Sequence, residues 1–83
     1  MKVLKFEAEW CGPCKMLSKT IDGITDLNVA IERIDVDKDP DSAVKFRVRG
    51  VPTCVLVDDD GKEIARKVGM MSATDFVNFV NRQ

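Results

Sequence analysis

Eighty-three residues leave room for one compact domain, spanning 1–83, and for no second catalytic one. With 45% hydrophobic and 33% charged residues the composition is that of a globular chain, and 13 basic against 14 acidic side chains give a net charge of −1, which offers no basic stripe to a nucleic-acid backbone. The chain has no His and no Tyr, which removes a Ser-His-Asp triad, a Cys-His pair and any His-ligated zinc or haem, so its chemistry must come from thiols, carboxylates, Lys or the backbone.

Val3 to Ala8 reads as a first strand, with Leu4, Phe6 and Ala8 on one face and Val3, Lys5 and Glu7 on the other. Met16, Leu17, Thr20, Ile21 and Ile24 then recur at helical spacing, and Pro13 suits a first turn where its missing N–H costs nothing, so a helix is expected over about 12–22 with Gly23 as its stop. The β-branched run Val29 to Val36 reads as a second strand. Asp39-Pro40-Asp41 supplies an N-cap, a first-turn Pro and an acid suited to the helix dipole, opening a short helix to about Phe46. Thr53 to Val57 is an apolar run fit for a strand buried on both faces, and Asp59-Asp60-Gly61 turns it into Glu63 to Val68 as an antiparallel hairpin. Ser72 to Asp75 forms a capping box with Asp in the usual Glu position, ahead of Phe76, Val77, Phe79 and Val80 on one helical face.

The order β-α-β-α-β-β-α predicts an α/β fold: a central mixed four-stranded sheet, its first strands parallel, flanked by three helices on its two faces. Charges interrupt the N-terminal segment before a signal-like run can form, and no stretch approaches ~18 apolar residues, so a cytoplasmic chain without a membrane span is expected.

Three cysteines are too few, and odd in number, for a secreted disulfide framework; two of them stand as Cys11-Gly12-Pro13-Cys14. At a helix start this spacing brings two sulfurs within reach of a small disulfide ring. Cys11, at the extreme N-terminus, meets unsatisfied N–H groups and the positive end of the dipole, which favour its thiolate; Cys14, one turn inside, should be more shielded. Cys11 would attack a substrate disulfide and Cys14 would release it from the mixed disulfide. The same tetrapeptide serves as a half-site for zinc or an iron–sulfur cluster, but a zinc ribbon wants a second pair and only Cys54 is left. The β-α context favours redox over metal, and no metal is expected. Cys54, within an apolar strand, reads as a core residue. The acidic groups Asp35 to Asp41 and Asp58 to Asp60 read as caps and turns.

The run Ala8-Glu9-Trp10-Cys11-Gly12-Pro13-Cys14-Lys15-Met16 resembles the active-site motif of the thioredoxins. Arg49-Gly50-Val51-Pro52-Thr53 resembles that family's cis-proline loop, and Lys67-Val68-Gly69 resembles its third segment, all in the family's order and over nearly the whole chain. The resemblance implies a thioredoxin fold and a protein-disulfide reductase that carries electrons through a Cys11–Cys14 dithiol with no other cofactor. It implies Cys11 as nucleophile and Cys14 as resolving thiol. Trp10, Gly12, Pro13, Val51, Pro52, Gly69 and Met70 form the substrate surface, where the backbone of Val51 can pair with an extended peptide. The partners implied are disulfide-containing proteins and a thioredoxin reductase, and the chain is expected to be a monomer.

The departures concern the site. The chain begins ten residues before Cys11, without the extra strand and helix that precede the motif in longer thioredoxins, and Ser18-Lys19 stands where a kinking Pro is common. The family's buried Asp is replaced by Lys5, Glu7 stands where a Trp is common, and Arg33 where a Lys is common. Lys5 and Glu7 are therefore expected to tune the site. A cation beneath the dithiol should lower the Cys11 pKa below ~8.5 and make the protein less reducing than a thioredoxin at ~−270 mV, unless Lys5 carries its ammonium out to water or pairs with Glu7. Glu7 either pairs with Lys5 or is expected to serve as a substitute proton acceptor. Two other readings stand beside the reductase: a glutathione-linked, glutaredoxin-like enzyme, which Gly12-Pro13 and the lack of paired glycines near Gly69 disfavour, and a structural subunit that binds a partner through the same groove.

Overall fold

The computed structural model describes residues 1–81 and arranges them as β1 (Lys2–Glu7), α1 (Gly12–Asp22), β2 (Ala30–Asp35), α2 (Pro40–Lys45), β3 (Thr53–Val57), β4 (Glu63–Val68) and α3 (Ala73–Val80). The sheet order is β2-β1-β3-β4, with β1 parallel to β2 and antiparallel to β3, and β3 antiparallel to β4. This is the predicted mixed sheet with its terminal hairpin, and the boundaries differ from expectation by a residue at most ends.

The alternation of β1 sends its two sets of side chains into two cores. Val3 packs with Leu17, Ile21, Cys54, Leu56, Met71, Phe76, Phe79 and Val80, which places α1 and α3 together on one face. Leu4 and Phe6 pack with Ile34, Val55 and Val57, and this second cluster meets Ala43 and Phe46 of the α2 region on the other face. Being central and covered on both sides, β3 is buried along its whole length.

Local chemistry fixes the elements as the sequence predicts. Asp39 caps α2 by accepting from the Ser42 N–H at 3.2 Å, and Ser72 caps α3 by accepting from the Asp75 N–H at 3.1 Å. Asp58 folds the hairpin loop by accepting from the Asp60 and Lys62 N–H groups, and Gly61 supplies the positive φ of 82° that the turn requires. Beside it, Asp59 pairs with the N-terminal ammonium at 2.9 Å, and this hydrogen bond holds its carboxyl below the usual range. Asp35 likewise accepts from the Asp37 and Lys38 N–H groups. The acidic runs are used as caps and turns, and among the described residues no three potential ligands converge to hold a metal ion.

Candidate active site

The site grows from the junction of β1 and α1, where a strand ends and a helix begins within five residues. Cys11 is the N-cap of α1, with the extended backbone a cap requires, and Cys14 lies in the first turn. The two are joined as a disulfide with their Cα atoms 5.3 Å apart. The Cys14 N–H donates to Cys11 Sγ at 3.1 Å, so the sulfur occupies the position that a capping oxygen takes elsewhere. A helix-start N–H aimed at this sulfur favours its negative form once the disulfide is reduced.

The helix-start position leads to the expectation that Cys14 is shielded and Cys11 is not; in the disulfide form both are buried, 4% exposed at Cys11 and 2% at Cys14. Both pack against Ala8 in a small cluster edged by Val36 and Val51, because the short ring turns both sulfurs under the loop. The asymmetry between them lies in hydrogen bonding, not exposure.

Of the residues expected to form the substrate surface, Val51 packs against this pair. The Val51–Pro52 bond is cis, and the Gly69 N–H donates to the Pro52 carbonyl at 2.8 Å with Gly69 at φ 90°, so the cis-proline loop and the end of β4 are tied together. Gly12 and Pro13 are exposed, Val51 and Gly69 are half-buried, and Pro52 is buried. The methionine pair divides, Met70 lying at the surface and Met71 in the core with α3. Trp10 is 71% exposed and is held by its indole N–H, which donates to Asp37 at 2.8 Å. Between Trp10 and Val51 opens an apolar recess of ≈ 160 Å³, lined also by Val36, Ala43, Val48 and Gly50. Sequence reasoning missed Val36, Ala43 and Val48, whose apolar character is indistinguishable from core until the loops are placed.

On the α1 side lies a larger, charged cleft of ≈ 450 Å³, lined by Glu7, Glu9, Cys14, Ser18, Arg33 and Asp35 among others. Behind its wall stands Lys5, which is 1% exposed. Its ammonium donates to Ser18 Oγ at 2.8 Å, to the Cys14 carbonyl at 3.3 Å and to the Glu7 carboxylate. The alternative in which the Lys5 stem carries its charge to water is thereby overturned, because α1 covers the β1 face at this position and supplies acceptors. Glu7, 16% exposed, also accepts from Arg33 Nε at 3.0 and 3.2 Å. The four departures noted at Lys5, Glu7, Ser18 and Arg33 are thus one hydrogen-bonded cluster. No buried side-chain nitrogen or oxygen among the described residues lacks a partner.

The family model for thioredoxin matches residues 1–82. The chain belongs to the thioredoxin family. It is 35% identical over 82 residues to a thioredoxin of Chlamydia trachomatis, covering 96% of this chain and 79% of that one. It is 39% identical over 69 residues to a prophage-derived thioredoxin-like protein, YosR, of Bacillus subtilis, covering 83% of this chain and 82% of the other. Thioredoxin 1 of Thermosipho africanus superposes with a TM-score of 0.82 at 30% identity, over 96% of this chain and 90% of that chain. The expected thioredoxin fold is therefore the observed one, and the chain is a thiol–disulfide oxidoreductase whose redox pair is Cys11 and Cys14.

Cys54 lies outside this chemistry. It is fully buried in the α1/α3 core and stands opposite Lys5 across the β1–β3 ladder. Burial pushes its thiol up to about 11, against a smaller lowering by the Lys5 charge. Alkylation of the native protein should therefore leave Cys54 unmodified until unfolding, as peptide mapping will show. Because the native thiol holds its proton longer than the unfolded one, its contribution to stability is whole below pH 9 and is lost as pH rises toward about 11. Cys54→Ala should lose about 1 kcal/mol near neutral pH but weaken less on the alkaline side, as denaturant titrations at several pH values will reveal.

Proposed function

We propose that this thioredoxin is a general reductant of protein disulfides in which Cys11 attacks and Cys14 resolves. The observation that carries the assignment of roles is the N-cap geometry, in which the Cys14 N–H already points at Cys11 Sγ. In the reduced enzyme the Cys11 thiolate attacks one sulfur of a substrate disulfide, forming a mixed disulfide and expelling the first substrate thiolate, which takes up a proton. Cys14 then gives up its proton and attacks Cys11 Sγ; the Cys11–Cys14 bond forms, the mixed disulfide breaks, and the second substrate thiol leaves. Two electrons pass from enzyme to substrate, and a thioredoxin reductase restores the dithiol. No cofactor beyond the dithiol takes part.

Substrate docking follows from the exposed rim. An extended segment pairs with the backbone at Val51, lies across Trp10, Gly12, Pro13, Pro52, Gly69 and Met70, and places an apolar side chain in the recess beside Trp10. In this reading the chain acts as a cytoplasmic monomer. Insulin reduction decides the reading when driven in parallel by NADPH with a thioredoxin reductase and by glutathione with its reductase. Turnover in the first system alone is expected. Turnover only with glutathione would transfer the chain to the glutaredoxin-like alternative, and failure in both would overturn the reductase reading.

A further inference from the structure

Resolution requires a thiolate at Cys14, a residue that is 2% exposed, in a chain with no His to take its proton. Burial alone opposes that charge. The charged groups around Cys14 come from several elements: Glu7 from β1, Glu9 from the segment after it, Lys15 from α1, and Arg33 and Asp35 from β2 line the cleft with it, Lys5 of β1 bonds its carbonyl, and Cys54 of β3 stands opposite Lys5. Glu7 is shared by Lys5 and Arg33, Glu9 pairs with Lys38 at 3.4 Å, and Asp35 is taken by backbone N–H groups. Among the described residues, Lys5 is the one cation that a hydrogen bond ties to the dithiol segment, through the carbonyl of Cys14 itself.

We infer that Lys5 is a positioning residue for the resolving step: its buried ammonium stabilises the Cys14 thiolate, and the proton of Cys14 leaves to water through the cleft lined by Glu7, Ser18 and Arg33. The hydrogen bond to the backbone carbonyl of Cys14 ties the ammonium to that residue, whereas charge counting along the sequence assigns its effect to Cys11. A cation held close to an acid lowers its pKa, and the Glu7 carboxylate that pairs with the ammonium offsets only part of that effect. The Ser18 hydroxyl and the Glu7 carboxylate hold the ammonium in place, so the charge is fixed before the thiolate forms and no reorganisation is needed when it does. The step is balanced: Cys14 loses a proton to cleft water, its sulfur bonds to Cys11 Sγ, and the substrate sulfur departs and is protonated by solvent.

This inference rests on the reductase reading, which insulin reduction by the unaltered chain tests by itself. Thiolate absorbance of Cys14 is titrated in a Cys11→Ser, Cys54→Ala background with Lys5 intact and with Lys5→Met or Lys5→Arg. The pH profile of insulin reduction is measured for the Lys5 variants with both active-site cysteines present. Lys5→Met is expected to raise the Cys14 midpoint by about one pH unit or more, and to cut activity about ten-fold at neutral pH with recovery at alkaline pH; Lys5→Arg should retain most of both. If Lys5→Met does not fold, Lys5→Gln, which removes the cation alone and can still donate to Glu7, carries the same measurement. An unmoved Cys14 midpoint, or an activity loss equal at all pH values, would overturn the role of Lys5 while leaving the reductase assignment intact.

Discussion

Cys11→Ser is expected to reduce insulin no faster than solvent thiols, and Cys14→Ser to lose turnover while accumulating as a covalent adduct of its substrate. Both follow from a division of labour set by one hydrogen bond. The Cys14 N–H on Cys11 Sγ stabilises a thiolate there in the way a cap stabilises an oxygen, and Ser in that place is not a nucleophile toward sulfur. Without Cys14, nothing near the mixed disulfide can displace the substrate: Cys54 is the remaining thiol, and it is buried in the α1/α3 core with its proton firmly held. Non-reducing gels with a disulfide-bearing peptide will show adducts for Cys14→Ser and none for Cys11→Ser. Equal trapping by the two variants would overturn the roles. A phenotype that persists in cells when both cysteines are Ser would favour the structural-subunit alternative, since the apolar recess beside Trp10 does not depend on sulfur.

Much of this molecule is legible in its sequence because its signals are local. Asp39, Ser72 and Gly61 announce a cap, a cap and a turn through the backbone groups beside them, and each serves in that way in the fold. The continuous apolar run from Thr53 to Val57 correctly marks a central strand, since only a strand covered on both faces can lack a polar side. The dithiol is legible for the same reason, as three residues of separation and a helix start define its geometry without help from the rest of the chain.

What sequence leaves open is set by contacts between distant elements. The exposure of Cys11 depends on how Ala8, Val36 and Val51 close over the ring, and these residues belong to three separate segments. The fate of Lys5 was divided between water and the site because its neighbours on β1 say nothing of Ser18, thirteen residues away, or of the Cys14 carbonyl. Position by position, Lys5, Glu7, Ser18 and Arg33 are four unrelated departures from the thioredoxin pattern. In space they compensate one another: the cation at Lys5 needs the carboxylate at Glu7, which in turn accepts from Arg33.

Because Lys5 is buried, Glu7 should be among the most sensitive positions of the chain even though it makes no bond to sulfur. Glu7→Leu leaves an ammonium at 1% exposure with only the Ser18 hydroxyl and the Cys14 carbonyl as acceptors. Removing one partner of a buried ion pair costs about 3–5 kcal/mol, a large share of the ~4–12 kcal/mol available to a chain of this length. The two neutral acceptors that remain place the expected loss near the lower end. The bond to Arg33 adds little, since Arg33 is mostly in water. Glu7→Gln, which still accepts from the ammonium but carries no charge, should fall between the parent and Glu7→Leu. If the cost arises from an uncompensated charge and not from lost packing, it must vanish when the charge is also removed. Lys5→Met with Glu7→Leu should therefore recover most of the stability, because replacing both members of a buried pair by apolar side chains is often neutral or favourable. Urea unfolding of the four proteins with the dithiol oxidised measures this directly. A double variant no more stable than Glu7→Leu would show that Glu7 acts through packing against β2 and α1, and not as the counterion of Lys5.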